Sequence, residues 1–250
     1  KSTSIFKVNL LEKMTQKQVT YQMKEKNPLF TIFTGTFNSE KVIRRVFESL
    51  KNQDYRNFEW IVIDDCSTDD TVKKIMAFQT ELEDIHVKLI KHTNNTGVAE
   101  SRKEALDLAK GKYFVTWDHD DYQSCNQLET FKNLWDNYDN AEIGNIFAKI
   151  KDQHGNLLGK PYPLEPYISD YISVHNKFLV GHKQSGKVVE HHVCTKTQIY
   201  KRALAFFDEN PKVLRNNNPN GGDIWGTLAY LGYKTIFSNQ VVRTYYINEE

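Results

Sequence analysis

The chain has three cysteines, Cys66, Cys125 and Cys194, and no two of them form a CxxC pair. Such scatter argues against a thiolate zinc site and a disulfide scaffold, and it fits a reducing, cytoplasmic setting. Net charge is nearly missing too: 33 Lys and Arg oppose 32 Asp and Glu, leaving +1. A chain so balanced lacks the basic face that nucleic acid requires, so no nucleic-acid partner is expected. No apolar run approaches the ~20 residues that cross a bilayer. No internal repeat is found. What remains is a chain of 250 residues with an apolar share of 39%, able to bury a substantial core.

Residues 1–27 form an N-terminal arm with six lysines, two glutamates and an irregular apolar stripe. It ends at Asn27-Pro28, because proline disfavours helix at the residue before it. Two readings of the arm stay open, a homodimer contact or a docking segment.

From 28 to 140 short apolar runs alternate with helical periodicity. Strands are expected at Leu29–Thr34, Phe58–Ile63, Val87–Ile90 and Tyr113–Trp117. Helices are expected at Ser39–Gln53, after a capping box Ser67–Asp70, at Gly97–Lys110 and at Cys125–Tyr138. Val72, Ile75 and Met76 face inward on the second helix. Val98, Ala105, Leu106 and Ala109 do so on the third, which Gly111 stops. Four strand-then-helix units predict a parallel sheet covered on both faces, with ligands beyond the carboxyl ends of its strands.

Residues 141–250 are less regular and form the second half of the same domain. A hairpin is expected between Asn145–Ile150 and Leu157-Leu158, and a mobile loop region over 159–186. Further elements are a strand at Val188–Val193, a helix at Thr197–Phe206, a turn at Arg215–Gly222 and a helix at Asp223–Leu231. Closing strands are expected at Thr235–Phe237 and Val241–Tyr246.

Polar clusters fall at the expected strand ends. In Asp118-His119-Asp120-Asp121, carboxylates at i and i+2 of an extended segment point the same way, which suits Mg2+ or Mn2+ held partly by phosphate. His119 alternates away as a bystander. The plain alternative is a solvated loop capping a helix. Asp64 and Asp65 are not needed for capping and suit hydrogen bonds from a base N–H or a ribose hydroxyl. Arg102, near a helix N-terminus, suits an anion or is a surface arginine. Asp223, after Gly221-Gly222, is an N-cap or a general base. His191 and His192 are neighbours that face opposite ways on a strand, so neither is given a metal role.

Gly35-Thr36-Phe37-Asn38, Asp64-Asp65-Cys66-Ser67-Thr68-Asp69, Asn95-Thr96-Gly97-Val98-Ala99-Glu-Ser-Arg102 and Trp117-Asp118-His119-Asp120-Asp121 come in that order. They resemble the family 2 glycosyltransferases of GT-A fold, whose pattern reads PTYN, DDGSTD, NxGxAxARN and LDxDD. The likeness covers about 28–122. Later, only Asp223 and the strand Val242-Arg243-Thr244-Tyr245 match.

The resemblance implies a Rossmann-like, mostly parallel sheet flanked by helices, with a less regular acceptor-side half. It also implies inverting transfer of one sugar from a UDP-sugar to an acceptor hydroxyl of a bacterial surface glycan or glycolipid, with Mn2+ or Mg2+. Carried over, Thr36, Phe37 and Glu40 border the nucleobase, and Asp64 or Asp65 holds the uracil beside Arg102. Asp118 binds ribose or metal, Asp120 binds metal, and Asp121 completes that set. Asp223 matches the general base, with Gly222 where the family has an acidic residue. Gly35 replaces Pro and Cys66 replaces Gly without changing a functional group. The QxxRW signature of processive synthases is absent, so single-sugar addition is expected. Residues 159–190 become an acceptor-side lid, and the inner membrane face is the expected place of action, with peripheral membrane association.

Two rivals remain. Phosphoryl transfer uses the same strand-end aspartates but leaves Asn95–Arg102 and Asp223 without a role. A nucleotide-sugar-binding scaffold that has lost catalysis draws support from Gly222.

Overall fold

The computed structural model describes residues 27–174, 191–210 and 224–246. Within them β1 (Phe30–Thr36), β2 (Phe58–Asp64), β3 (His86–Lys91) and β4 (Tyr113–Thr116) pair in parallel, in the order β3-β2-β1-β4. Successive side chains of a strand point to opposite faces. Phe30, Ile32, Trp60, Val62 and Val115 therefore enter one core, and Phe33, Ile61, Ile63 and Phe114 enter another. The strands read as unbroken apolar runs because both faces are covered.

The first core is closed by α1 (Arg44–Lys51), α2 (Thr71–Gln79) and α4 (Gln127–Tyr138), through Val46, Phe47, Leu50, Ile75, Phe78, Leu128, Phe131 and Trp135. On the other face lie α3 (Val98–Leu108), with Ala105 and Leu106, and α6 (Thr197–Glu209), with Tyr200. The strand order reverses at β1, since β2 lies on one side and β4 on the other. In open α/β sheets that reversal leaves a crevice beyond the strands' carboxyl ends.

The sheet continues past β4 as β8 (His192–Lys196), β6 (Ile143–Asp152), β9 (Lys234–Tyr245) and the short β5 (Tyr122–Gln123). Here β8 runs antiparallel to β4 and β6, β6 is parallel to β9, and β5 is antiparallel to β9. Strand β7 (Tyr167–Ser169) also pairs with β9, and α5 (Tyr171–Val174) and α7 (Ile224–Tyr230) complete the described elements. The result is a mixed α/β molecule with a helix-flanked sheet, parallel across its first four strands.

Several local expectations are corrected. The capping box does not form: Asp70 makes no side-chain cap, and Asp69 accepts instead from the Thr71 backbone N–H at 3.0 Å and its hydroxyl at 2.6 Å. Ser67 is spent on the Asn38 N–H, 2.8 Å away. Met76 and Val98 lie outward, because the packed stripes run through Ile75 and Phe78 on α2 and through Ser101, Ala105 and Leu106 on α3. The hairpin shrinks to one bridge, Lys151 to Leu157, since β6 pairs along its length with β8 and β9. The two closing strands are one twelve-residue strand, β9, whose pairing with β6 absorbs register shifts. Residues 159–174 hold β7, α5 and the buried Tyr162, Tyr171 and Val174, so this stretch is packed and not a mobile loop. Most of the arm, residues 175–190 and residues 211–223 lie outside the described residues.

Gly111 does not cap α3, which ends at Leu108. Its N–H donates to Thr31 Oγ1 at 2.9 Å, and a Cβ there would sit 2.3 Å from the Thr31 backbone nitrogen. Gly226 on α7 has nothing within 4 Å of such a Cβ. Gly111→Ala is therefore expected to lose about 2 kcal/mol or more in urea unfolding, through overpacking against backbone. Gly226→Ala should be neutral or gain up to about 1 kcal/mol from helix propensity. Equal effects of the two substitutions would refute this account.

Candidate active site

The register of the parallel strands brings Thr36, Asp64 and Lys91 level at their carboxyl ends. Thr36 is buried, its hydroxyl against that of Ser39, whereas Phe37 is 46% exposed. Glu40 faces the next loop: its carboxylate accepts from the Asp70 N–H at 3.0 Å, and its own N–H donates to Asp69 at 3.1 Å. Asn38 Oδ1 accepts from the Thr68 N–H at 2.9 Å. The loops after β1 and β2 are thus laced together. Cys66 sits there at φ 73, in the left-handed region that favours glycine. The glycine of the resembling pattern has a backbone reason, and Cys66 costs about 1 kcal/mol that functional groups alone do not reveal.

Asp64 and Asp65 differ sharply. Asp65 is saturated: it accepts from the Thr96 N–H at 2.9 Å, the Thr96 hydroxyl at 3.1 Å, the Gly97 N–H at 2.6 Å and His92 Nδ1 at 2.8 Å. Burial pushes its carboxyl up, but these donors outweigh burial and hold it at about 2. Asp64 is fully buried and accepts from the Ser67 N–H at 3.1 Å, while its Oδ1 has no partner among the described residues.

His92 escaped the sequence reading. Its other nitrogen lies 2.8 Å from Glu104 Oε2, so the ring bridges two carboxylates and locks the loop that starts α3. The hydrogen bond to Asp65, then that to Glu104, raises its pKa above the usual histidine value. Asn94 and Asn95, in this loop, are exposed.

Beyond β4 the aspartate loop is held from elsewhere in the chain. Arg243, on β9, donates from Nε to Asp121 at 2.5 Å, and its Nη2 lies 2.7 Å from Asp118 and against Asp121. The Tyr246 N–H donates to the other Asp121 oxygen at 3.0 Å. From α1, Arg45 donates to the Asp120 carbonyl at 2.7 Å and lies over the Tyr246 ring. Underneath, Trp117 Nε1 donates to Gln127 at 2.7 Å, and Gln127 donates to Gln123 at 2.6 Å and to the Val242 carbonyl at 2.9 Å. Burial lifts Asp121 to about 6, against the lowering pull of Arg243 and the Tyr246 N–H. Asp120 and Asp118 add to the lift, so three carboxylates share this small region.

Asp118, Arg102 and Arg243 line one cleft of ≈ 420 Å³, with Thr116, His192 and Trp225 among its other walls. The buried Arg102 Nε and His192 Nε2 have no hydrogen-bond partner among the described residues. His192 stacks on Phe131, and His191 lies on the opposite face against Phe147, as strand alternation requires. Complete burial keeps His192 neutral, with a pKa well below the ordinary value.

Among the described residues no three His, Cys, Asp or Glu side chains form a ready metal cage. The donor set instead fits a cation bound largely by phosphate oxygens, which needs only one or two carboxylates. Asp118 is half-exposed at the cleft, where the Arg243 guanidinium already stands on it as a cation, whereas Asp120, two residues on, is not among the residues that line the cleft. Both oxygens of Asp121 are taken by Arg243 and the Tyr246 N–H. Asp223 lies outside the described residues, although Ile224 and Trp225, which follow it, line the cleft.

A raised pKa for His92 means that its contribution to stability is complete below about pH 6.5 and is lost as pH climbs through the folded-state value. The urea stability of the wild type relative to His92→Gln should accordingly fall between pH 6 and pH 9. A pH-independent difference would remove the charged bridge.

The family model described as Glycosyl transferase family 2 matches residues 31–207. The poly(ribitol-phosphate) beta-N-acetylglucosaminyltransferase TarS of Staphylococcus aureus is 28% identical over 177 residues, covering 70% of this chain and 28% of its own. The E. coli UDP-Glc:alpha-D-GlcNAc-diphosphoundecaprenol beta-1,3-glucosyltransferase WfgD is 31% identical over 143 residues, 52% of this chain and 55% of its own. This chain thus spans only part of either relative. The structure of TarS residues 1–349 with UDP-GlcNAc superposes with a TM-score of 0.66 at 19% identity, over 88% of this chain and 59% of that one. That of a Pyrobaculum calidifontis mannosyltransferase with GDP-Man and Mn2+ gives 0.61 at 18% identity, over 98% and 66%. With the family pattern spanning both the parallel strands and the aspartate loop, and with the fold shared, the chain belongs to glycosyl transferase family 2.

Proposed function

We propose that the protein moves one sugar, with inversion, from a UDP-sugar to an acceptor hydroxyl of a surface glycan or glycolipid. A divalent cation, Mn2+ or Mg2+, at the aspartate loop and Asp223 as general base complete the reading. The observation that carries it is convergence. Arg102 from α3, Asp118 from the end of β4 and Arg243 from β9 line one cleft, beside β4 and its neighbour β8.

Each residue then has a task. Asp64 is favoured over Asp65 for the uracil, since its Oδ1 is unpartnered while Asp65 already accepts from four donors. Exposed Phe37 offers a ring face to the base, and Thr36 and Glu40 shape the loop that carries it. Arg102 supplies positive charge to the diphosphate. Asp118 and Asp120 would hold the cation, which when bound offsets the charge growing on the leaving diphosphate. Asp223 takes the proton of the acceptor hydroxyl, which hardly ionises at neutral pH. A single base opposite a single leaving group inverts the anomeric centre, whereas a glycosidase needs a second carboxyl group as acid.

The names of the relatives support the substrate classes. TarS is named for a poly(ribitol-phosphate) acceptor and is seen with UDP-GlcNAc, WfgD is named for UDP-Glc and a diphosphoundecaprenol acceptor, and the mannosyltransferase is seen with GDP-Man and Mn2+. A lipid-linked acceptor would bring the protein to a membrane surface, although no described helix is long and apolar enough to cross one.

Calorimetry of UDP with Mn2+ or EDTA tests the donor half. Binding should be metal-dependent, and Asp120→Ala and Asp64→Ala should each weaken it by at least about tenfold. Asp223→Asn should leave UDP binding intact and cut turnover about 10²–10⁴-fold. Turnover equal to the wild type would remove Asp223 as base, and failure of UDP to bind under any condition would overturn the donor assignment.

A further inference from the structure

Arg243 is placed oddly for a residue that only braces the fold. Its side chain is 6% exposed, and its two carboxylate partners differ in kind: Asp121 is 1% exposed, whereas Asp118 is 45% exposed and opens on the cleft. One guanidinium thus joins a buried contact to one that ligands can reach. A buried charge pair is held because separating it strands a charge, while a pair half in water exchanges partners readily. The Asp121 contact is therefore an anchor and the Asp118 contact exchangeable.

We propose that Arg243 is a positioning residue for the donor's cation: it occupies Asp118 in the free protein and so makes the divalent cation bind only together with the nucleoside diphosphate. This rests on the metal-assisted reading above. Asp118, Asp120 and Asp121 set three carboxylates against two guanidiniums, that of Arg243 and that of Arg45 on the Asp120 carbonyl, and the balance that stays negative attracts a divalent ion once Arg243 is removed. Arg243 removes two of the three, Asp121 permanently and Asp118 until a competitor arrives. The diphosphate is that competitor. Its oxygens offer the guanidinium a bidentate partner and give the cation most of its ligands, so release of Asp118 and capture of the cation occur in one step. Lysine cannot perform both duties, because its point charge lacks the planar fork that spans two carboxylates.

The test is Mn2+ binding followed by electron paramagnetic resonance of the free ion, without nucleotide and with UDP, on the full chain. Without nucleotide, affinity should rise in the order wild type, Arg243→Lys, Arg243→Gln, with the glutamine variant at least about tenfold tighter than the wild type. UDP should strengthen Mn2+ binding strongly in the wild type and weakly in Arg243→Gln. Nucleotide-free affinities within twofold of one another would overturn the proposal. If Arg243→Gln does not fold, Arg243→Lys against the wild type decides the same question. Failure of the donor reading has a different signature: UDP would leave Mn2+ binding unchanged in every protein, whatever the nucleotide-free series shows.

Discussion

The ion pair between Arg243 and Asp121 is the constraint on which the site depends. Burying either charge alone would cost several kcal/mol, so the carboxyl-terminal strand β9 and the loop after β4 must arrive together. Their meeting has consequences in both directions. It draws β5 onto β9 at Tyr122 and Gln123, seats the Gln127 amide on the Val242 carbonyl, and lets Trp117 bury its indole N–H on that same amide. The Tyr246 N–H then closes the second Asp121 oxygen. A loop of like charges that would otherwise spread into solvent is held at the mouth of the cleft.

A second network of the same kind organises the other side. Asp65 gathers donors from three positions of the loop after β3, and His92 carries that grip on to Glu104. The start of α3, and with it Arg102, is positioned by a carboxylate that is already satisfied. Its neighbour Asp64, one residue earlier on the same strand end, keeps an oxygen unpaired. Two adjacent aspartates thus differ, one building the loop and one keeping an acceptor without a partner among the described residues.

Much of this was legible in the residues. The unbroken runs at β1, β2 and β4 predicted a sheet buried on both faces, and of the polar clusters at their ends the one after β4 reaches the cleft, through Asp118. The opposed faces of His191 and His192 followed from strand alternation alone. Other readings failed for identifiable reasons. Val98 and Met76 fit an apolar stripe by spacing, but the helices are rotated so that Ser101 and Phe78 pack instead. Gly111 looked like a helix stop because a close approach of backbone to Thr31 leaves no trace in a one-dimensional pattern.

By itself the sequence determined the class of the fold, the succession of strands and helices in its parallel half and the identity of the acidic and basic groups at the strand ends. Those properties follow from periodicity and from local hydrogen-bonding chemistry, which are written within a few residues of one another. Only the tertiary structure decided which of these groups are paired and which keep an unpaired atom among the described residues. Arg243 lies 122 positions from Asp121 and Asp65 lies 27 from His92, and no local rule links residues so far apart. A carboxylate is available or occupied according to what folding brings against it, and that is a fact of packing.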